Sequence, residues 1–435
     1  MSDARTSEDL PAALEAAWQR SDLIFSLLSE PALLARPIAL RQPFLFYVGH
    51  LPAFAWNHLW RGVLARPAYA PAFDVLFERG IDPPDDADPA TPDDAAAWPA
   101  CGEVLAYRDR VRHELRAVLD DPQLYDVLPM VLEHELMHHE TLLYMLQQLP
   151  AEAKHAPRSD SPTAPAAAAT PSRERICIAA GRARLGAMRD GRFRWDNEYT
   201  EHELEVPAFE IDSTPVTNRE FREFVEIGGY AERRLWTEDG WRWLRHHRLA
   251  APHSWTAVGE DWRVTTLFGD VPFDQAADWP ACTSHCEALA FARWSGARLP
   301  SEAEFHRAAF ATPEGGLREH PWGQASPGPE HGNLGFRRWG PTPVGTHPAG
   351  ASAFGVHELV GNGWEWTATP FRPFPGFEPL PRYPGYSADF FDERHFVLLG
   401  GSWATDLRLV RRSFRNWFQP HYPHVFAKFR CASSA

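Results

Sequence analysis

Lysine is nearly missing from this sequence, occurring only at Lys154 and Lys428. The other cations are arginines scattered among acids, and 43 Lys plus Arg against 58 Asp plus Glu leaves a formal charge of −15. That balance excludes a nucleic-acid surface, which gathers basic residues on one face. Cysteine is also thin. Five dispersed residues (Cys101, Cys177, Cys282, Cys286, Cys431) exclude a disulfide scaffold and point to a reducing compartment. No apolar run reaches membrane-spanning length and the first nine residues are polar, so a soluble, cytoplasmic protein without membrane contact is expected. Tryptophan, by contrast, is plentiful at 18 residues. Indole rings fill cores, and their faces also attract quaternary ammonium groups.

Against that background one stretch stands out, Glu133-His134-Glu135-Leu136-Met137-His138-His139-Glu140. It lies in a helical run, where His134 and His138 fall one turn apart on one face, close enough to share a metal ion. Glu140 falls nearly opposite and is a poor third ligand, so another segment must complete the site. The same residues spell His-Glu-x-x-His, the zinc-hydrolase helix in which Glu135 would be the general base. Spacing alone does not separate these chemistries.

Along the chain, residues 8–29 carry apolar positions at helical spacing. A second, very apolar helix spans Phe44–Trp60, with a kink expected just after His50 because Pro52 lacks a backbone donor. His50 is the preferred third ligand, since a helix packed beside the 134–138 segment can aim it inward; His58 is its rival. Residues 66–100, rich in Pro, Asp and Ala, are expected to form a long loop. Glu103–Leu119 and Leu124–Leu149 are the third and fourth helices, and four helices with inward ligands are a known way to hold a metal. Residues 151–173 are low in complexity and are expected to be a flexible linker between domains at 1–150 and 174–435. Beyond it, short strands (175–179, 183–186, 202–206, 209–211) and two helices (218–227, 282–295) alternate with loops, giving an α+β class.

The second half carries ordered phrases: Thr214-Pro-Val-Thr-Asn-Arg-Glu-Phe221, Arg298-Leu-Pro-Ser-Glu-Ala-Glu-Phe305, Gly361-Asn-Gly-Trp-Glu-Trp-Thr367, Gly400-Gly-Ser-Trp403, Phe414-Arg-Asn-Trp417 and Phe429-Arg-Cys-Ala432. Together they resemble the formylglycine-generating-enzyme type of domain, a C-type-lectin-like fold. Those enzymes bind copper through a cysteine pair; only Cys431 matches here, with Val425 and Phe426 upstream, so that chemistry is not expected. The first half resembles a DinB-like four-helix bundle, and the combination resembles the ergothioneine-pathway sulfoxide synthases (the EgtB family). The resemblance implies Fe(II) held by His50, His134 and His138, with hercynine, a chalcogen donor and O2 as substrates. It also implies a proton-donating tyrosine at Tyr383 or Tyr386. Asn416 and Trp417 match the positions that meet the trimethylammonium end of hercynine.

Two departures bear on the donor. Met137 stands where the mycobacterial type has Gln, and Phe418 where that type has an Asp holding the amino group of a cysteine-type thiol. The phrases Leu45–Phe54, Phe77–Pro83 and Tyr383–Phe391 look most like the branch containing selenoneine synthases. Formation of a C–Se bond between hercynine and a selenosugar is therefore the expected reaction, with a cysteine or γ-glutamylcysteine donor as the alternative. A zinc hydrolase and a non-catalytic lectin-like module are the competing classes.

Overall fold

The computed structural model describes residues 9–78, 98–157 and 171–435. The chain forms two compact units, Met1–Ser159 and Asp160–Ala435.

In the first unit the long helices are α1 (Leu10–Ser26), α2 (Phe44–Ala55), α4 (Cys101–Arg116) and α5 (Leu128–Gln147), with a short α3 (Pro71–Leu76) between α2 and α4. Helix α1 starts where the Asp9 carboxylate accepts the Ala12 amide at 3.0 Å and Pro11 presets the first turn. Every residue of α2 is buried, as are nearly all of α5, so these two run through the middle of the unit. Helix α1 packs on α5, and α2 on both α4 and α5. Ion pairs tie α4 to α1, Arg116 to Glu15 at the surface and the buried Arg112 to Asp22.

Helix α2 continues through Pro52 and changes to π register at Trp56–Val63. Two expectations are corrected here. The stretch 66–100 is not all loop: its described part contains α3, while 79–97 lie outside the described residues. The expected linker also begins too early. Residues 151–155 belong to the first unit, where the Lys154 ammonium caps the α5 carbonyls of Leu146 and Gln147 at 3.1 and 3.2 Å and His155 N–H donates to Leu27. Residues 158–170 of that segment lie outside the described residues.

The second unit is α+β. One sheet has the order β1 (Arg175–Ile178), β4 (Phe209–Asp212), β12 (Ala432–Ser434), all antiparallel. Another has the order β10 (Asn416–Phe418), β9 (Phe396–Leu399), β8 (Trp364–Pro370), β11 (Ala427–Lys428), with β8 and β11 parallel. A hairpin of β2 (Gly181–Leu185) and β3 (His202–Val206) and a meander of β5 (Trp255–Val258), β6 (Asp261–Thr266) and β7 (Gly269–Pro272) complete the strands. The helices are α6 (Asn218–Glu226), α7 (Glu238–His247), the single turn α8 (Phe273–Ala276), α9 (His285–Trp294) and α10 (Glu302–Phe310). Helices α6, α9 and α10 each open on a capping box, at Thr217/Glu220, Ser284/Glu287 and Ser301/Glu304.

The sequence phrases of this unit are packing devices. Glu365, fully buried, accepts from Lys428 Nζ at 2.6 Å and Arg430 Nε at 2.7 Å. Asn362 bonds the Thr342 amide and carbonyl at 2.8 and 2.9 Å. Gly400 has φ +86°, and a Cβ there would lie 2.1 Å from the Leu359 carbonyl oxygen, so only glycine fits. All five cysteines are free, and burial pushes the Cys431 thiol up to about 12. Among the described residues no helix is long and apolar enough to cross a membrane.

Candidate metal centre

The structure brings His50 of α2 together with His134 and His138 of α5, each offering a ring nitrogen within 4.8 Å of the others. The Nε2 atoms of His134 and His138 are 3.2 Å apart, and the His50 ring centroid lies 5.1 and 5.0 Å from theirs. Neighbouring ligands at right angles on a metal with bonds of about 2.1 Å would be about 3 Å apart, so the helical pair is already at a chelating distance.

Tautomer and charge are set by the surroundings. The His50 Nδ1–H donates to the Phe77 carbonyl at 2.7 Å; because a carbonyl only accepts, the lone pair is left on Nε2. That Nε2 is buried with no protein partner. Burial lowers the His50 pKa to about 4, with the Phe77 carbonyl pulling the other way. Burial also holds His134 and His138 well below the usual imidazole range, and the neighbouring histidines add to the shift. Three neutral imidazoles converging on one buried spot fit a divalent transition metal, for which imidazole is a favoured ligand.

Packing fixes the rings. Phe54 stacks on His134 at 3.5 Å and 4°, Phe46 on His50 at 4.9 Å, and Tyr47 meets the edge of His138 at 5.7 Å. His58, in the π-register segment, touches the far side of the Phe54 ring at 4.3 Å and is not part of the trio. Glu140 is buried but also outside it.

Glu135 looks elsewhere. It accepts a short hydrogen bond from Ser21 of α1, whose hydroxyl also lies 3.0 Å from His139 Nε2, and Arg112 of α4 approaches to 3.8 Å. Burial raises its pKa. One residue on from His134, it is rotated about 100° round the helix and serves the α1–α4–α5 interface.

Of the other sequence-derived residues, Met137 is the partly exposed member of α5 between His134 and His138. In the second unit Tyr386 stacks on Trp195 at 3.9 Å and meets the edge of Trp417 at 5.4 Å, with Tyr383 5.8 Å from Tyr386. Trp417 in turn lies flat on Phe371 at 4.3 Å. The Asn416 side chain accepts the Trp417 amide at 2.9 Å. Phe418 follows Trp417 on β10, where side chains alternate, and its ring stacks on Tyr422 at 5.1 Å. Two contributors escaped the sequence reading. The Phe77 carbonyl is a backbone group and leaves no side-chain signature. Trp195 had a signal in the phrase Trp195-Asp-Asn-Glu198, whose Glu198 is buried against Arg411 and Ser413.

A model of the sulfatase-modifying factor enzyme 1-like domain matches residues 160–435, and one of the DinB superfamily matches 13–142. The chain is 40% identical to hercynine oxygenase of Mycobacterium tuberculosis across 70% of its own length and 71% of that protein. It is 30% identical to ergothioneine biosynthesis protein 1 of Neurospora crassa across 96% of this chain and 56% of that one. Formylglycine-generating enzyme of Mycobacterium tuberculosis is 32% identical across 47% of this chain and 77% of that protein.

Proposed function

The chain belongs to the hercynine oxygenase family, a DinB-type helical unit followed by a formylglycine-generating-enzyme-type unit, and from this we propose a non-haem Fe(II), O2-dependent oxygenase that joins the imidazole of hercynine to a chalcogen donor. The observation that carries the metal part is the buried trio of neutral imidazoles with His50 Nε2 left as a bare lone pair. Fe(II), when bound, supplies O2 activation and Lewis acidity. His50, His134 and His138 would hold the ion and, being only three ligands, would leave it accessible to substrate.

The chain's own residues supply binding and orientation. His50, His134 and His138 hold the ion, with Phe46, Phe54 and the Phe77 carbonyl fixing their rings. Tyr383 or Tyr386 holds or delivers a proton at its phenol oxygen. In the second unit the indole face of Trp417, with Asn416 beside it on β10, is the place proposed for the trimethylammonium group. For the donor we propose a selenosugar, because Phe418 offers an apolar ring, backed by Tyr422, and no charge for an α-ammonium group. A cysteine-type thiol is the second reading, favoured by relatives named for ergothioneine. Zinc hydrolysis is disfavoured, since Glu135 is held by Ser21 and Arg112.

The test is anaerobic reconstitution with Fe(II) and hercynine, then O2 with a selenosugar, cysteine or γ-glutamylcysteine in turn, products read by mass spectrometry. A hercynine–selenium adduct formed in preference supports the full proposal. Preferential coupling of a cysteine-type thiol keeps the oxygenase and discards the selenosugar. No coupling with any donor discards the proposal.

A further inference from the structure

Asp74 is a fully buried carboxylate that the metal site does not use directly. It sits in α3, and its Oδ1 accepts the Tyr107 hydroxyl of α4 at 2.8 Å. Besides Tyr107 the carboxylate has the Trp56 indole N–H as a polar neighbour, and Arg61 is 3.9 Å from its Oδ2. Arg61 donates to the Asn57 side chain at 2.9 Å, and the Asn57 amide reaches the Asp74 carbonyl at 3.3 Å. Both Asn57 and Arg61 lie in the π-register segment that follows α2. So one buried acid ties α3 to two other elements, and its burial raises its pKa against the pull of Tyr107 and Arg61.

What α3 presents is Phe77, its C-terminal capping residue, whose N–H closes the helix on Phe73 at 2.9 Å and whose carbonyl takes His50 Nδ1–H. The Phe77 ring is fully buried, and a Cβ on Gly49 would come within 2.5 Å of it. A buried charge is costly unless it is paired. Asp74 meets this with Tyr107 of α4 and with Trp56 and Arg61 of the segment after α2, so the same contacts that satisfy the acid fix the place of α3.

We propose that Asp74 and Tyr107 are positioning residues for the metal centre: by fixing α3 they hold the Phe77 carbonyl on His50 Nδ1, which keeps the His50 Nε2 lone pair aimed at the ion. This rests on the metal reading above. Outer groups that orient a ligand histidine are worth about 10- to 100-fold in metal affinity, and Asp74 acts one step further out, so the low end applies.

The experiment is a titration of the full chain with Co(II), a spectroscopic stand-in for Fe(II), against a chromogenic chelator. It compares wild type, Asp74→Asn, Tyr107→Phe, His50→Ala and the His50→Ala/Asp74→Asn pair, with thermal unfolding of each metal-free protein. Asp74→Asn and Tyr107→Phe should each weaken Co(II) about 10-fold, and Asp74→Asn should have no further effect once His50 is gone. Equal loss in both backgrounds would show a general structural role and overturn the proposal, as would unchanged affinity in folded Asp74→Asn. If His50→Ala itself binds Co(II) like wild type, it is the metal reading that fails.

Discussion

Replacing Gly49 by alanine sets two effects of opposite sign against each other in the middle of α2. Alanine is favoured over glycine in a helix interior by about 0.8–1.0 kcal/mol. Against that, the new Cβ would sit 2.5 Å from three atoms of the Phe77 ring, Cδ2, Cε2 and Cζ. Ordinary carbon contacts are about 3.5–4.0 Å, so the ring must retreat by about 1 Å. It has little room, being fully buried with Phe73, Tyr107 and Phe46 rings at 5.6, 6.0 and 6.2 Å. Overpacking of this kind costs about 1–3 kcal/mol, and a three-atom clash belongs in the upper half of that range. Sterics win. The expected net destabilisation is about 1–2 kcal/mol, or about 2–8 °C in the melting temperature of a unit this size. Displacing Phe77 also moves its carbonyl off His50, so metal affinity should fall about 10-fold or more. Calorimetry and Co(II) titration measure the two effects, and Gly49→Ala/Phe77→Leu should restore much of the stability. A melting temperature raised by helix propensity alone, with affinity unchanged, would refute the reasoning.

His138→Ala should lower Fe(II) or Co(II) affinity by at least about 100-fold, whereas His58→Ala should leave it unchanged; equal losses in equilibrium dialysis would mean the wrong histidines have been chosen. Phe418→Asp should shift donor use toward cysteine-type thiols, seen as a changed product ratio when both donors compete; an unchanged ratio removes Phe418 from the donor pocket. Glu198 is buried, which alone would raise its pKa, but the Arg411 ion pair and the Ser413 hydrogen bond outweigh this and hold it below the usual range. A depressed folded pKa contributes stability above the unfolded value of about 4.3, which is lost as pH falls through the folded value. Glu198→Gln should therefore be less stable at neutral pH and show a flatter acid limb by circular dichroism, and parallel curves would count against the ion pair.

The helical histidine pair was legible because it is local: four residues on one helix put His134 and His138 on one face whatever the rest of the chain does. His50 was legible more weakly, as a polar residue in an otherwise apolar helix. Helix α3 was not, since six residues (Pro71–Leu76) within a stretch rich in Pro, Asp and Ala show too little periodicity to register. Helix α2 continues past Pro52 because the unit buries the whole of it, and packing on α4 and α5 holds the helix together past the missing donor. In the second unit the expected helices 218–227 and 282–295 are α6 and α9, which open on Thr217/Glu220 and Ser284/Glu287. The partners that close its core were not legible. Glu198 finds Arg411 213 residues away, and Cys431 N–H finds Asp212 across 219. No window of local periodicity contains both members of such a pair. Helix α7 (Glu238–His247), with charged residues along most of its length, was passed over because its apolar stripe is narrow.

The two lysines fall one to each unit, and both are buried, Lys154 against the end of α5 and Lys428 on Glu365. Apart from the α-amino group, the folded chain therefore offers almost no primary amine to acylating reagents or to amine-directed crosslinkers. Labelling at either lysine becomes a clock for local opening, read unit by unit from a single peptide map. Ligand-dependent protection of Lys154 alone, or of Lys428 alone, would tell which unit a given molecule stabilises without any engineered probe.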